Sequence, residues 1–260
     1  MKSSKNLNSI INDKRSGSAD ILQELHEHLK GEKRLLHAFP EIINVVKSQF
    51  RSFQNVQSYL KNLEISLIKQ KNLDDFFNRY DKKLLNVYDA IFNHNEKLLM
   101  RYSNIITLSN SKTIFEILKR MRRHNKKLLV YVSESRPRFE GRLLAKKLVK
   151  ENIHVKLVTE AMLDNVIRNC ECSFIGADAI LKDGSAVNKV GSAVLATICK
   201  FHKKPLYVIA DKTKYSNNNS FDKKEMPPYE VWRHQNSNLK IKNYYFEKID
   251  SQLITKILSD

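Results

Sequence analysis

Three features of the sequence predict an α/β protein, with an N-terminal helical domain over residues 1–100 followed by a Rossmann-like parallel-sheet domain over residues 101–260. Before residue 100, apolar side chains recur every three or four positions. After it, short β-branched and aromatic runs alternate with helical segments, the pattern of a parallel sheet covered on both faces. One of those runs ends in Gly176-Ala177-Asp178. An acid at the carboxyl end of a buried strand faces the crevice where open α/β sheets bind ligands.

In the first part, Ile21, Leu22, Leu25 and Leu29 fall on one helical face. Ile42, Ile43, Val46 and Phe50 mark a second helix, and Leu60, Leu63, Ile65 and Leu67 a third. A longer stripe runs from Leu84 through Val87, Tyr88, Ile91 and Phe92 to Leu99. Ser18 or Asp20, just after Gly17, is the expected N-cap of the first helix. In the second part the expected strands are 105–108, 128–132, 154–158, 173–175 and 206–210. Helices are expected between them at 113–123, 141–150, 161–167 and 193–199. The Asn-rich stretch 216–228, ending in Pro227-Pro228, reads as a polar surface loop. A last apolar run at Tyr244-Tyr245-Phe246 precedes an expected final helix around Leu253, Ile254 and Ile257.

The 260 residues carry 46 Lys and Arg against 28 Asp and Glu, a formal net charge of +18. Such an excess suits an anionic partner, but the chain is also generally rich in Lys, Asn and Ile, so charge alone does not select one. Lys119-Arg120, Arg122-Arg123 and Lys126-Lys127 cluster at a helix end, where cations favour the dipole. No aromatic-interleaved RNA motif accompanies them, so nucleic acid is not expected. Cys170, Cys172 and Cys199 cannot all pair within one chain and read as buried thiols of a reducing compartment. Cys170 and Cys172 would share one face of a strand, but no His or Cys cluster lies near to complete four metal ligands. No metal is expected. No apolar run approaches the ~20 residues that span a bilayer, and Met1-Lys2-Ser3-Ser4-Lys5 opens without a signal-peptide segment. The expectation is a cytoplasmic protein with no membrane partner. The G-x-G-x-x-G fingerprint is missing, so no nicotinamide or other cofactor is expected.

The carboxyl ends of parallel strands lie on one edge of a sheet. Ser109, Arg136, Asp178, Asn188, Lys189 and Lys214 would therefore converge around one small anionic ligand. Bland alternatives stand beside this: Arg136 pairing with Glu134, Lys214 merely solvated. The step Gly191-Ser192 before a helix would offer free backbone N–H groups to an anion, with Lys189 beside it.

Three ordered blocks carry a family resemblance. Ser133-Glu134-Ser135-Arg136-Pro137-Arg138-Phe139-Glu140-Gly141, Gly176-Ala177-Asp178-Ala179-Ile180 and Asn188-Lys189-Val190-Gly191-Ser192 resemble the signatures of the translation initiation factor 2B alpha/beta/delta family. Its superfamily includes methylthioribose-1-phosphate isomerase and ribose-1,5-bisphosphate isomerase. The resemblance implies a helical domain joined to a Rossmann-like domain, and a sugar-phosphate pocket. It further implies a homodimer or family-type hetero-oligomer through the Rossmann domain, and a possible translation factor partner.

In the isomerases a cysteine and the aspartate of the G-A-D motif act on the sugar. The aspartate matches Asp178, whereas the cysteine position matches Ser109. The resemblance places Arg136, Asn188, Lys189 and Lys214 against the ligand and Ser111 near its phosphate. It matches the segment holding Arg15 and Gly17 to one that closes over the ligand, with Ser16 as an interruption. The isomerases often have Gln where this chain has Glu140, and a carboxylate there would repel a phosphate if it faced inward.

Two readings of function follow. A serine with no histidine close in sequence is a poor acid, base or nucleophile. That favours a regulatory or binding protein of the initiation factor 2B type, with a phosphorylated small molecule as partner and no turnover. The alternative is a sugar-phosphate aldose–ketose isomerase that relies on Asp178.

Overall fold

The helical part is built before any strand appears. In the computed structural model, which describes residues 6–13, 16–32, 38–69, 72–234 and 236–260, a short helix α1 (Leu7–Ile11) precedes α2 (Ser18–Gly31). Asn6 caps α1 by accepting the Ser9 N–H at 2.8 Å. The cap of α2 differs from expectation. Gly17 holds that position with no side-chain bond, while Ser18 and Asp20 both lie within the helix. Ser18 is buried and its hydroxyl accepts instead from Lys214 Nζ at 3.2 Å. Next come α3 (Phe39–Gln49) and α4 (Gln54–Ile68). Pro40 sits in the first turn of α3, where a missing N–H removes no helical bond.

Helix α5 (Leu73–Leu99) is 27 residues long, about 40 Å at the α-helical rise. Its first half contributes Phe76 and Phe77 to a core with Tyr59, Phe39, Leu25 and Leu60. Its second half turns Val87, Ile91, Phe92 and Leu99 toward the sheet and against Ile114, Ile117 and Leu118. One helix thereby ties the two cores together.

The sheet elements follow as β1 (Asn104–Leu108), α6 (Lys112–His124), β2 (Leu129–Ser133), α7 (Glu140–Lys150), β3 (His154–Val158), α8 (Leu163–Ile167) and β4 (Cys172–Ile175). After them come β5 (Ala179–Ile180), β6 (Ala186–Lys189), α9 (Ser192–Phe201), β7 (Leu206–Ile209), β8 (Phe246–Ile249) and β9 (Lys256–Leu258). The six-stranded sheet has the order β3-β2-β1-β4-β7-β9, and its described pairings are parallel. Side chains alternate across it as the period of two requires. Ile105, Val130, Val132, Cys172 and Phe174 face α5, α6 and α7. Ile106, Leu108, Tyr131 and Ile175 face α8 and α9. Strand order reverses direction between β1 and β4, so the ligand crevice of a doubly wound sheet opens there. A second sheet, β5-β6-β8, is antiparallel and carries Asn188 and Lys189 on its central strand.

The chain end departs from expectation. A 3-10 turn at Ser251–Leu253 leads into β9, which pairs with β7 through Tyr207–Lys256 and Ile209–Leu258. The spacing of Leu253, Ile254 and Ile257 suits a helix, but the open edge of β7 offers a row of backbone partners, and pairing satisfies those groups. Cys170 and Cys172 also separate. The strand begins only at Cys172, so Cys170 packs into the core with α8 and α9, while Cys172 lies in the opposite one.

Candidate functional site

The crevice between β1 and β4 is edged by strained backbone. Ser109, directly after β1, sits at φ 65°, and Ser135, two residues after β2, has the same value. Left-handed geometry is uncommon for a residue with a Cβ and persists where the surroundings enforce it. Here they do. The Ser109 N–H donates to Ser135 Oγ at 2.7 Å, and that hydroxyl in turn donates to the Ser133 carbonyl at 3.1 Å. Glu160 accepts the Ser135 N–H at 2.6 Å and also the Ser133 hydroxyl.

Two glycines allow this packing. A Cβ on Gly141 would lie 1.8 Å from the Ser133 carbonyl oxygen, so only glycine lets the start of α7 rest on the end of β2. A Cβ on Gly176 would lie 2.5 Å from Ser111 Oγ. Ser111 itself caps α6, accepting the Ile114 N–H at 3.3 Å.

Charge is buried at this edge. Lys189 Nζ lies 2.7 Å from Glu140 Oε1 and 4.8 Å from the centroid of the Tyr245 ring. Both members of the ion pair are buried, Lys189 at 4 % exposure and Glu140 at 7 %. Lys214 Nζ donates to the Ala177 carbonyl and to Ser18 Oγ, directly behind Asp178. Burial pushes the Asp178 carboxyl up from its ordinary pKa, while the Lys214 charge, a hydrogen bond from Ser18 and the Lys189 charge pull the other way. Its backbone is held on both sides: the N–H donates to Val187 O at 2.8 Å and the carbonyl accepts from Gln54 N at 3.1 Å.

These groups open into a cavity of about 650 Å³. Gly17, Ser109, Asn110, Glu140, Asp178 and Lys189 form its polar side. Phe50 and Phe53 of the helical part, with Met226, Pro227, Tyr245 and Phe246, form its apolar side. The stretch read as a surface loop thus supplies a wall of the cavity through 224–227. Among the described residues lining it there is no histidine and no cysteine. The thiols of Cys170 and Cys199 are buried elsewhere and pushed up by burial to about 12. Among the described residues no group of three His, Cys, Asp or Glu is placed to hold a metal ion.

Of the residues singled out in the sequence, Gly17, Ser109, Asp178 and Lys189 meet at the cavity, and Lys214 lies behind it. Ser111 serves α6, and the Asn188 amide donates to Ser192 Oγ at 2.9 Å. Arg136 turns outward, donating to the Val231 carbonyl at 3.0 Å and stacking over Phe139. Arg15 lies outside the described residues. The start of α9 is not free for an anion: Glu247 Oε1 accepts both the Gly191 and Ala193 N–H groups at 2.8 Å.

Glu160 and Glu247 escape the sequence reading, in which Ser18 is only a helix cap. Glu247 follows an apolar run with nothing to single it out, and Ser18 has the spacing of an ordinary cap. Their roles arise from contacts between segments distant in the chain. Only Glu140 left a signal, as an acid inside a block otherwise suited to phosphate.

The chain matches the initiation factor 2 subunit family over residues 1–260. It is 33 % identical over 156 residues to the eIF-2B subunit 2-like protein of Pyrococcus furiosus, covering 60 % of this chain and 55 % of that one. It is 29 % identical over 252 residues to the methylthioribose-1-phosphate isomerase of Caenorhabditis elegans, covering 91 % of this chain and 66 % of that protein. The chain thus spans just over half of the first relative and about two thirds of the second. The crystal structure of the Pyrococcus horikoshii translation initiation factor eIF-2B superposes with a TM-score of 0.74 at 22 % identity, covering 97 % of this chain and 92 % of the other. That likeness concerns the fold: helices first, then the parallel sheet. No helix among the described residues is long and apolar enough to cross a membrane. With its family match over residues 1–260, the chain belongs to the initiation factor 2 subunit family.

Proposed function

We propose that this chain is a cytoplasmic binding or regulatory member of the family, whose cavity holds a phosphorylated small molecule without turning it over. The observation that carries the reading is Ser109, which the resemblance matches to the isomerases' cysteine and which shares its cavity with no histidine or cysteine among the described lining residues. An unassisted hydroxyl stays protonated at neutral pH and is a poor nucleophile or acid. Asp178 would orient a sugar hydroxyl, with Lys214 behind it. Gly17, which caps α2 without a side-chain bond, and the preceding segment with Arg15 would take the phosphate. In this reading Ser111, Asn188 and Arg136 support the edge. The sheet-bearing part would pair with a second copy or with a related subunit, and a translation factor is the partner class to test.

A specific observation also favours the isomerase alternative. A buried aspartate whose pKa is raised is a group suited to exchanging a proton with a sugar carbon or hydroxyl. Phosphorus NMR with methylthioribose 1-phosphate and ribose 1,5-bisphosphate separates the two. Shifted or broadened resonances without ketose formation support the binding reading. Conversion abolished by Asp178→Asn would replace it with the isomerase.

A further inference from the structure

Two positions at this edge look built for an anion, and the chain fills both with its own carboxylates. Glu247 takes the N–H groups at the start of α9. Glu140 takes the Lys189 ammonium at 2.7 Å, and the Tyr245 ring lies against the same nitrogen. A phosphate seeking Lys189 would therefore arrive beside a carboxylate that is already there, and like charges in a low-dielectric site repel strongly.

Two more atoms say what the site lacks. Glu140 Oε2 and Asn110 Oδ1 are buried with no hydrogen-bond partner, in side chains 7 % exposed that line the cavity. Buried acceptors without donors are rare in folded proteins and mark places where a donor is expected. The described wall has the same bias: Asp13, Glu140, Asp178 and Glu225 face it, against Lys189 and Lys224. This in a chain of formal net charge +18.

We infer that the cavity takes a ligand with a single anionic group, whose far end donates hydrogen bonds to Glu140 and Asn110, and that Glu140 is the residue that turns a second phosphate away. The inference rests on the reading of the cavity as the ligand site and narrows it to singly phosphorylated, hydroxyl-bearing compounds. Glu140 acts as a built-in occupant of the anion position. An amide in its place would leave Lys189 able to meet a phosphate.

The test is calorimetric titration of the full chain with ribose 5-phosphate and with ribose 1,5-bisphosphate. The wild-type protein is expected to bind the monophosphate at least about tenfold more tightly than the bisphosphate. Glu140→Gln should raise bisphosphate affinity about tenfold and weaken monophosphate binding, because the ligand's donors then meet a neutral amide in place of a carboxylate acceptor. Adding Lys189→Met to that variant should remove the gain. Equal wild-type affinities, or a bisphosphate affinity that Glu140→Gln leaves unmoved, would overturn the inference while leaving the binding function standing. Failure of the wild type and both variants to bind either compound would overturn the ligand-site reading and this inference with it. A thermal melt establishes that Glu140→Gln is folded, and if it is not, the wild-type ratio decides.

Discussion

Around Tyr59 the helical part packs Phe39, Phe76, Phe77, Leu25 and Leu60 with His26, whose ring nitrogens meet Tyr59 Oη at 3.2 Å and Asp81 at 2.9 Å. At the carboxyl edge of the sheet the buried side chains are instead Glu140, Lys189, Asp178 and Lys214. The first region is held by apolar area and tight packing, which are favourable wherever water is excluded. The second is held by charges that each need a specific counterpart, because an ion taken out of water is expensive unless it is met. The first arrangement suits a scaffold. The second suits a site, since groups that depend on particular partners also respond to a particular ligand.

Removing one half of a buried ion pair should give the largest effect. Glu140→Ala leaves Lys189 uncompensated and is expected to destabilise the fold by about 3–5 kcal/mol, read from urea unfolding. Glu140→Leu combined with Lys189→Met should restore most of that loss, since an apolar pair has no desolvation penalty. A single-variant loss under about 1 kcal/mol would mean that the pair behaves as a solvated one and would break the contrast.

On the scaffold side, Leu25→Ala opens a hole in the helical core and should lower stability by about 3 kcal/mol without altering ligand affinity. A change in affinity would show that the two regions are energetically one. Gly176→Ala should be smaller, about 2 kcal/mol, because the added methyl meets the Ser111 side chain, Oγ at 2.5 Å and Cβ at 3.0 Å, and no backbone atom. Its proper readout is the melting temperature together with ligand affinity, both of which should fall.

The smallest effect concerns pH. Burial lowers the pKa of His26, with the Asp81 hydrogen bond opposing it. The folded state therefore binds a proton at His26 less readily than the unfolded chain, which takes one up as the pH falls below about 6.5. Stability conferred by the neutral ring is present above that value and declines below it. Melting temperatures measured from pH 7.5 to 5 should fall more steeply for the wild type than for His26→Gln. Parallel curves would remove His26 as the responsible group.

Much of the fold was legible because periodicity reports burial directly. The stripe Ile21, Leu22, Leu25, Leu29 became the buried face of α2, and the apolar runs at 105–108 and 173–175 fall on β1 and β4. The tail was not legible. Leu253, Ile254 and Ile257 fit two periods, and only the vacant edge of β7 decided for a strand. The same division runs through the cavity. Asp178 and Ser109 could be placed because they follow strands at the point where sheet order reverses. Arg136 could not, since its direction depends on a local turn that sends it to Val231.

Chain-local chemistry sets the order of helices and strands, the acid at the mouth of the crevice, the serine beside it and the excess of positive charge. It does so through apolar spacing, strand-end position and composition. Only the folded chain pairs Lys189 with Glu140, closes the start of α9 with Glu247 and walls the cavity with Phe50 and Phe53. Each of these joins residues tens of positions apart in the chain. A buried charge or a free backbone N–H takes whichever partner the fold brings within reach, and sequence spacing carries no record of that choice.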